Sequence, residues 1–172
     1  MSELRESIKA IRETSNSIVE VASKLPDEAI RWKPSEEKWS ILEILCHLEE
    51  AVPYWATEIQ RVVANPGIEW GRGHGDEVRL KAVALANERT VGDVLTGVQK
   101  GAQTAVKILE TLRDADLEIE SPSRNPRFGV KPMSFVLDHL LVVHLSNHLG
   151  QMQRNLSQLQ ARSAAAAGSP ES

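Results

Sequence analysis

Apolar residues recur at intervals of three and four positions along four long stretches of the chain. These stretches run from about Ser2 to Leu25, from Ser40 through Val62, from Thr90 to about Arg113, and from Pro132 to about Arg162. Such spacing matches the 3.6-residue repeat of an amphipathic α-helix, which turns one apolar stripe towards a protein core. The pattern therefore predicts four long helices, and no segment gives a convincing strand.

Two of the predicted helices begin with capping signals. Ser40 followed by Glu43 matches a capping box, in which each side chain bonds a backbone amide of the first turn. Thr90 followed by Asp93 is a similar start, with Asp in place of the usual Glu. Pro53 falls inside the second helix, and we expect a kink there because proline removes one backbone hydrogen bond.

The connections between the predicted helices are long, at Pro26–Trp39, Asn65–Arg89 and Asp114–Lys131. Connections of this length allow helices to pack in an order that differs from their order in sequence. We predict an all-α fold, a four-helix bundle with non-sequential helix order, over residues 1–162. Residues 163–172 are small and polar, and we expect them to form a frayed helix end and a disordered tail.

The connections also contain two tryptophans, a short segment with helical spacing and a histidine in a glycine-rich sequence. Trp32 and Trp39 are expected to pack over one end of the bundle. The segment Val78–Ala86 has the apolar spacing of a short helix. His74 lies in a glycine-rich sequence that we interpret as a flexible turn. The alternative is that this turn reaches a functional site as a lid.

Composition narrows the classes of function. A chain of 172 residues is expected to form one domain, and its 20 basic and 24 acidic residues are mixed, without the basic block of a nucleic-acid-binding protein. Cys46 is the single cysteine, which excludes a disulfide within the chain. No apolar run reaches the roughly eighteen residues of a membrane span, and the first residues do not form a signal peptide. We expect a cytoplasmic protein without nucleic-acid or membrane partners.

Two histidines of the fourth helix lie four residues apart. His144 and His148 therefore share one helix face, which is also the apolar face. Buried imidazoles without partners cost about 1–3 kcal/mol each, and a metal ion that takes one lone pair from each ring would remove that cost. A single pair at this spacing is a weak signal, because core histidines reach it by chance.

A third histidine, His47, lies on the apolar face of the second helix. If the second and fourth helices are neighbours, His47, His144 and His148 converge inside the bundle. Three histidines with an open position are typical of a catalytic metal site. The alternative is three buried histidines that are satisfied separately. His139 lies about 140° around the helix from His144 and is not expected to join them.

Three polar residues near these histidines have two readings each. Glu50 is a candidate acceptor for an imidazole N–H or a catalytic base, and otherwise a solvated carboxylate. Gln151 is a candidate for holding a bound water or substrate, and otherwise makes a structural hydrogen bond. Cys46 lies about 100° around the helix from His47 and is expected to pack rather than act as a nucleophile.

The chain resembles the DinB/YfiT-like family of metal-binding four-helix bundles. Three blocks in the family's order carry the resemblance: RWKPSEEKWSILEILCHLEE at 31–50, NPRFG at 125–129 and HLSNHLGQ at 144–151. The resemblance implies that His47, His144 and His148 are ligands of a divalent metal. Asn125 stands where many members have histidine, and Val52 where an acidic residue is frequent, so supporting roles at those two positions are not carried over.

The resemblance also implies an activity. Characterised relatives look like transferases and isomerases that use low-molecular-weight thiols, and many members are labelled metal-dependent hydrolases. The leading hypothesis is transfer of such a thiol to a small electrophilic substrate, with hydrolysis of a small molecule or a non-catalytic metal-binding stress or interaction bundle as alternatives. Zinc, nickel and iron(II) all suit the imidazoles, and a homodimer is expected by analogy.

Overall fold

The computed structural model describes residues 2–168. Within them lie α1 (Glu3–Ser23), α2 (Asp27–Arg31), α3 (Ile41–Ala64), α4 (Glu77–Ala84), α5 (Val91–Glu110), β1 (Glu120–Pro122), β2 (Val130–Pro132), α6 (Met133–Leu137) and α7 (Val143–Ala167). Short 3₁₀ turns occupy Ala86–Glu88 and Asp114–Glu118, and a π-helical segment occupies Asp138–Val142. None of the helices in this range combines the length and apolar character needed to cross a membrane.

The four long helices pack in an order that differs from the sequence. The most extensive packing joins α3 to α5 and α1 to α5, and α7 contacts both α1 and α3. Helix α5 therefore lies between α1 and α3, although it follows both of them along the chain. The predicted four-helix bundle with non-sequential helix order is confirmed, and α3, with fourteen buried residues, supplies much of its core.

The close approach of α3 and α5 depends on a glycine. A methyl group at Gly101 would lie 3.2 Å from the carbonyl oxygen of Glu49 and 3.3 Å from Cδ of Pro53. Both contacts are tighter than ordinary van der Waals separation, and one of them is to backbone. Only glycine fits at this position without moving one helix away from the other.

The capping signals predict the helix starts correctly. Ser40 and Glu43 form the full capping box: each side chain accepts a hydrogen bond from the other's backbone N–H, at 3.1 and 3.0 Å. The hydroxyl of Thr90 accepts a bond from the N–H of Asp93 at 3.2 Å. Helix α3 continues through Pro53, and the kink expected there stays a prediction.

The fourth long helix differs from its prediction in two ways. It is interrupted, because the π-helical segment separates α6 from α7. It is also longer than the predicted end at about Arg162, since α7 continues to Ala167 and so includes the segment expected as a frayed helix end. Alanine has the highest helix propensity of the amino acids. The four alanines at 164–167 therefore favour a helix although they have nothing to bury. The rest of the expected tail, residues 169–172, lies outside the described residues.

The expectation that the chain has no strand was wrong for one small hairpin. Strands β1 and β2 pair antiparallel, with Ser121 opposite Lys131. Each has only three residues and contains a proline, which is too short for a period-two pattern to appear. The hairpin is held by Trp70, which is fully buried and donates its indole N–H to the carbonyl oxygen of Ser121 at 2.8 Å.

Candidate metal centre

Helix α3 carries His47 into the centre of the bundle. The capping box at Ser40 sets where this helix begins, and His47 lies seven residues later on a stretch buried on nearly every side. The residue is 3% exposed. An imidazole at this depth must find most of its partners inside the protein, because little of its surface is exposed to solvent.

The π-helical segment directly precedes the other two histidines. The backbone N–H of Val143 bonds the carbonyl oxygen of Asp138, five residues earlier, instead of the residue four before it. One extra residue in a turn rotates everything that follows by about 100° relative to a continuous α-helix. The segment therefore sets which face of α7 presents His144 and His148 to α3. His139, inside the segment, is exposed and stacks on Phe135 with ring centroids 4.7 Å apart, outside the cluster, as predicted.

The three histidines converge through the same ring nitrogen. Nε2 of His144 lies 3.1 Å from Nε2 of His47 and 2.9 Å from Nε2 of His148. One ligand atom from each residue lies within 4.8 Å of the others. Two helices that are distant in sequence thus bring three nitrogen donors to one point.

Gln151 determines the tautomer of His148. Its Oε1 lies 2.8 Å from Nδ1 of His148, and because a carbonyl oxygen only accepts, Nδ1 carries the proton. Nε2 of His148 therefore presents a lone pair to the centre of the cluster. This is the structural hydrogen bond that was the alternative for Gln151, and a part in holding a water or substrate stays a prediction.

Hydrogen bonds alone do not satisfy the cluster. With Nε2 of His148 unprotonated, Nε2 of His144 either donates to His148 or accepts from His47, because it holds a proton or a lone pair but not both. If Nε2 of His144 is unprotonated, its lone pair faces that of His148. If it is protonated, this single proton is shared between His148 and His47, or it faces a second N–H on His47. In addition, Nδ1 of His47 is buried without a hydrogen-bond partner among the described residues.

The imidazoles are neutral over the ordinary pH range. Burial lowers the pKa of His47 to about 2, with the neighbouring His144 and His148 adding to the effect. Burial, and then His148, lowers the pKa of His144 to about 3. The pKa of His148 is also lowered by burial, against the opposing bond from Gln151. Neutral rings with convergent lone pairs are what a divalent metal requires of histidine.

The spacing of the nitrogens suits such a metal. Zinc–imidazole bonds of about 2.0–2.1 Å in a tetrahedral site place two ligand nitrogens about 3.3 Å apart. The observed separations of 3.1 and 2.9 Å lie close to that value without any rearrangement. Because the set consists of nitrogen donors alone, it suits zinc, nickel or iron(II) better than magnesium or calcium.

Trp39 covers the cluster on one side. Its ring centroid lies 5.1 Å from that of His47 and 6.3 Å from that of His148, nearly parallel to the latter. The buried Asn155 of α7 donates from Nδ2 to the carbonyl oxygen of Trp39 at 2.9 Å, which fixes the connection that carries the ring. Trp39, expected only to pack over a bundle end, therefore packs against two of the metal-ligand candidates.

On another side the cluster opens into a cavity of about 140 Å³. His47 and His144 form its floor, and its polar lining comes from Arg72, His74, Arg79 and Asn125. Trp55, Phe128 and Leu140 supply the apolar part. His74 thus reaches the edge of the site, as the lid interpretation of the glycine-rich turn required.

Glu50 occupies a different position from either of its expected ones. Its carboxylate accepts a hydrogen bond from Nη2 of Arg72, and both side chains are largely buried. Glu50 therefore holds an arginine of the cavity wall rather than an imidazole. Its proposed part in catalysis stays a prediction.

Cys46 lies in the hydrophobic core, 1% exposed. Burial raises the pKa of its thiol, an effect that Arg89 partly opposes. A thiol with a raised pKa is a poor nucleophile at neutral pH. The structure agrees with packing as the role of Cys46.

Arg72 and Arg79 are the cavity residues that sequence reasoning missed. Arg72 lies in the irregular connection after α3, where no periodicity predicts which side chains face inward. Arg79 lies in α4, and the apolar spacing that predicts this short helix does not indicate that an arginine faces a cavity. The one available signal was the length of that connection, because long ordered connections often serve a function.

Comparisons with known proteins identify a family that the sequence matches and solved structures that share the fold. The sequence model of the DinB superfamily matches residues 10–152. No curated protein sequence matches the chain significantly. Among solved structures, the chain is similar to YfiT from Bacillus subtilis, described as a probable metal-dependent hydrolase with an unusual four-helix bundle topology. The TM-score is 0.78 at 12% identity, over 93% of this chain and 90% of YfiT.

Two further structures share the fold. A mycothiol-dependent maleylpyruvate isomerase matches with a TM-score of 0.63 at 12% identity, over 83% of this chain but 59% of the isomerase. A DinB-like protein from Bacillus subtilis matches with a TM-score of 0.60 at 17% identity, over 90% of this chain and 92% of that protein. At these identities the similarity establishes the fold.

Proposed function

The chain belongs to the DinB superfamily, and we propose that it is a metal-dependent enzyme that transfers a low-molecular-weight thiol to a small electrophilic substrate. His47, His144 and His148 would hold the divalent cation. The observation that carries the proposal is the convergence of their three Nε2 atoms, all within 4.8 Å of one another, beside a cavity that admits a small molecule.

The chain's own residues prepare this site. Gln151 keeps the lone pair of His148 directed inward through its bond to Nδ1. Trp39 covers two of the rings, so that water approaches from the cavity side. Burial keeps His47 and His144 unprotonated. When bound, a divalent cation lowers the pKa of a coordinated thiol or water and polarises a substrate oxygen.

The nucleophile must come from outside the chain. Among the described residues, no serine, threonine or cysteine lines the cavity, and Cys46 is buried in the core. In the proposed reaction the thiol sulfur bonds to the electrophilic carbon. The leaving group departs with its electron pair, or, for an activated double bond, the adjacent carbon takes the proton that the thiol loses.

Two of the similar structures support the proposal in different ways. The description of the isomerase names a thiol, mycothiol, on which that enzyme depends. The description of YfiT favours a second candidate, metal-dependent hydrolysis of a small molecule. Both reactions use a polarised substrate and an activated nucleophile at the same three histidines, and they differ in whether that nucleophile is a thiol or water.

The test uses the zinc-, nickel- and iron(II)-loaded protein with a panel of small thiols and electrophiles, analysed by mass spectrometry. We expect thioether formation above the uncatalysed rate, lost in His47→Ala and kept in His139→Ala, which removes a histidine outside the cluster. Product that forms equally without thiol and has gained one water would establish the hydrolase instead. Absence of any metal-dependent product would leave only a binding role.

Two further expectations remain proposals. The cytoplasm is the compartment in which low-molecular-weight thiols stay reduced, so the proposed reaction suits a cytoplasmic location. A homodimer is proposed by analogy, and sedimentation of the purified protein would test it.

A further inference from the structure

Two arginines, Arg72 and Arg79, line the cavity beside the histidines. They differ in whether a carboxylate pairs with the guanidinium. Arg72 is largely buried, pairs with both Glu50 and Asp76, and lies over the ring of Tyr54 at 3.7 Å. Its charge is therefore compensated by two carboxylates. Its Nε, however, is buried without a hydrogen-bond partner among residues 2–168, which leaves one donor unused at this wall.

Arg79 has no such compensation. Its Nη1 donates to the carbonyl oxygen of His74 at 2.9 Å, and its guanidinium lies 5.6 Å from the ring centroid of Trp39. Within residues 2–168, no carboxylate lies within ion-pair distance of it. The carboxylates whose charges act on it, Glu50 and Asp76, are the two that pair with Arg72. Among residues 2–168, none of the five guanidinium donors of Arg79 therefore has an anionic acceptor.

The absence of an anionic acceptor costs free energy at the position of Arg79. It is half-buried, and burial, followed by the charge of Arg72, lowers its pKa. Arg79 lines the same cavity as His47 and His144, and its charge adds to the lowering of the pKa of both rings. A partly desolvated cation is stabilised strongly by a charge-assisted bond to an anion.

We propose that Arg79 binds the carboxylate of a small acidic substrate and holds it in the cavity above His47 and His144. A guanidinium pairs with a carboxylate through two parallel bonds, which orient as well as attract the ligand. The cavity volume of about 140 Å³ equals that of about five water molecules, which suits an acid of a few heavy atoms. Identifying this anion as a substrate rests on the proposed function, whereas its binding at Arg79 does not.

The experiment measures binding of trifluoroacetate by fluorine NMR, with the neutral and similarly sized trifluoroacetamide as the matched probe. The variants are Arg79→Gln, Arg79→Lys and Lys81→Gln. Lys81→Gln removes the same charge from the exposed side of the same helix, and so controls for net charge. Thermal unfolding of each variant verifies that the bundle is intact.

We expect the wild type and Lys81→Gln to bind trifluoroacetate equally and more tightly than the amide. Arg79→Gln should weaken binding by about ten- to hundredfold, the loss expected for hydrogen bonds to a charged group, and Arg79→Lys should be intermediate. Undetectable binding to wild type, equal binding of acid and amide, or an unchanged dissociation constant in Arg79→Gln would each overturn the proposal.

Each titration is made with metal-free and with zinc-loaded protein, so that the two proposals fail separately. If binding requires zinc and is unchanged by Arg79→Gln, the anion binds to the zinc ion. That result overturns this proposal but supports the metal centre. Binding that depends on Arg79 in a protein that takes up no zinc, nickel or iron(II) supports the carboxylate site and rejects the proposed metal enzyme.

Discussion

His148 and Gln151 are joined by a hydrogen bond, with Nδ1 of the imidazole 2.8 Å from Oε1 of the amide. They lie three residues apart on one helix face, so α7 supplies both a ligand candidate and the group that sets its tautomer. In a neutral imidazole, a proton on one ring nitrogen leaves a lone pair on the other. The lone pair on Nε2 of His148 therefore faces His144.

Replacing Gln151 should weaken metal binding without abolishing it. We expect Gln151→Leu to reduce zinc affinity by about ten- to hundredfold, as loss of a bond behind a ligand typically does. Gln153→Leu, two residues along and exposed, is the matched control. Competition with a chromophoric chelator measures both. Equal affinities in the two variants would show that the bond to His148 does not support the site.

Ser15 offers a test of the packing between α1 and α5. Its hydroxyl is buried, with no hydrogen-bond partner among residues 2–168. Ser15→Ala removes an unsatisfied polar group and should raise the free energy of unfolding by about 1 kcal/mol. Ser17→Ala, on the exposed side of the same helix, isolates the contribution of helix propensity. Urea unfolding in which Ser15→Ala is no more stable than Ser17→Ala would contradict the prediction.

Two glycines of α5 should respond to alanine in opposite directions. Gly101→Ala forces a methyl group against the backbone of Glu49 and should destabilise the protein by about 1–3 kcal/mol. A methyl group at Gly92 meets nothing within 4 Å, so Gly92→Ala should stabilise it by up to about 1 kcal/mol. Urea unfolding measures both, and a stabilising Gly101→Ala would show that the α3–α5 contact is looser than described.

Stability of the metal-free protein should fall as the solution becomes acidic. Unfolded histidine takes up a proton near pH 6.5, whereas in the fold His144 stays neutral down to about pH 3 and His47 to about pH 2. Between pH 6.5 and 3 the unfolded chain binds more protons, so each ring reduces stability by up to about 1.4 kcal/mol per pH unit of acidification. Above pH 6.5 this contribution is constant.

Urea unfolding between pH 7.5 and 4.5, with chelator present, measures that slope. His144→Gln removes one of the two rings and should make the slope shallower, while His139→Gln removes an exposed one and serves as the control. Identical slopes in wild type and His144→Gln would mean that burial does not hold His144 neutral.

Much of the fold could be predicted from local chemistry. The apolar spacing and the capping residues at Ser40 and Thr90 locate the long helices, because both signals act within one or two turns. The convergence of His47 with His144 and His148 needed one assumption, that their helices are neighbours. The long connections allowed that arrangement but did not require it.

The remaining features depend on contacts that are distant in sequence. The hairpin exists because Trp70 binds Ser121 across 51 residues, and three-residue strands leave no pattern of their own. The π-helical turn at Asp138–Val142 changes a hydrogen-bond register rather than a residue type. Arg72 is held at the cavity by its pairs with Glu50 and Asp76, and Arg79 lines it from the short helix α4. The apolar spacing of the sequence predicts neither position.

Elemental analysis of purified wild-type protein beside His47→Ala, His144→Ala, His148→Ala and His139→Ala tests the central claim most directly. The account predicts close to one equivalent of zinc, nickel or iron in the wild type and in His139→Ala, with large losses in the other three variants. Metal-free wild type after incubation with each ion, or unchanged metal content in His144→Ala, would contradict it.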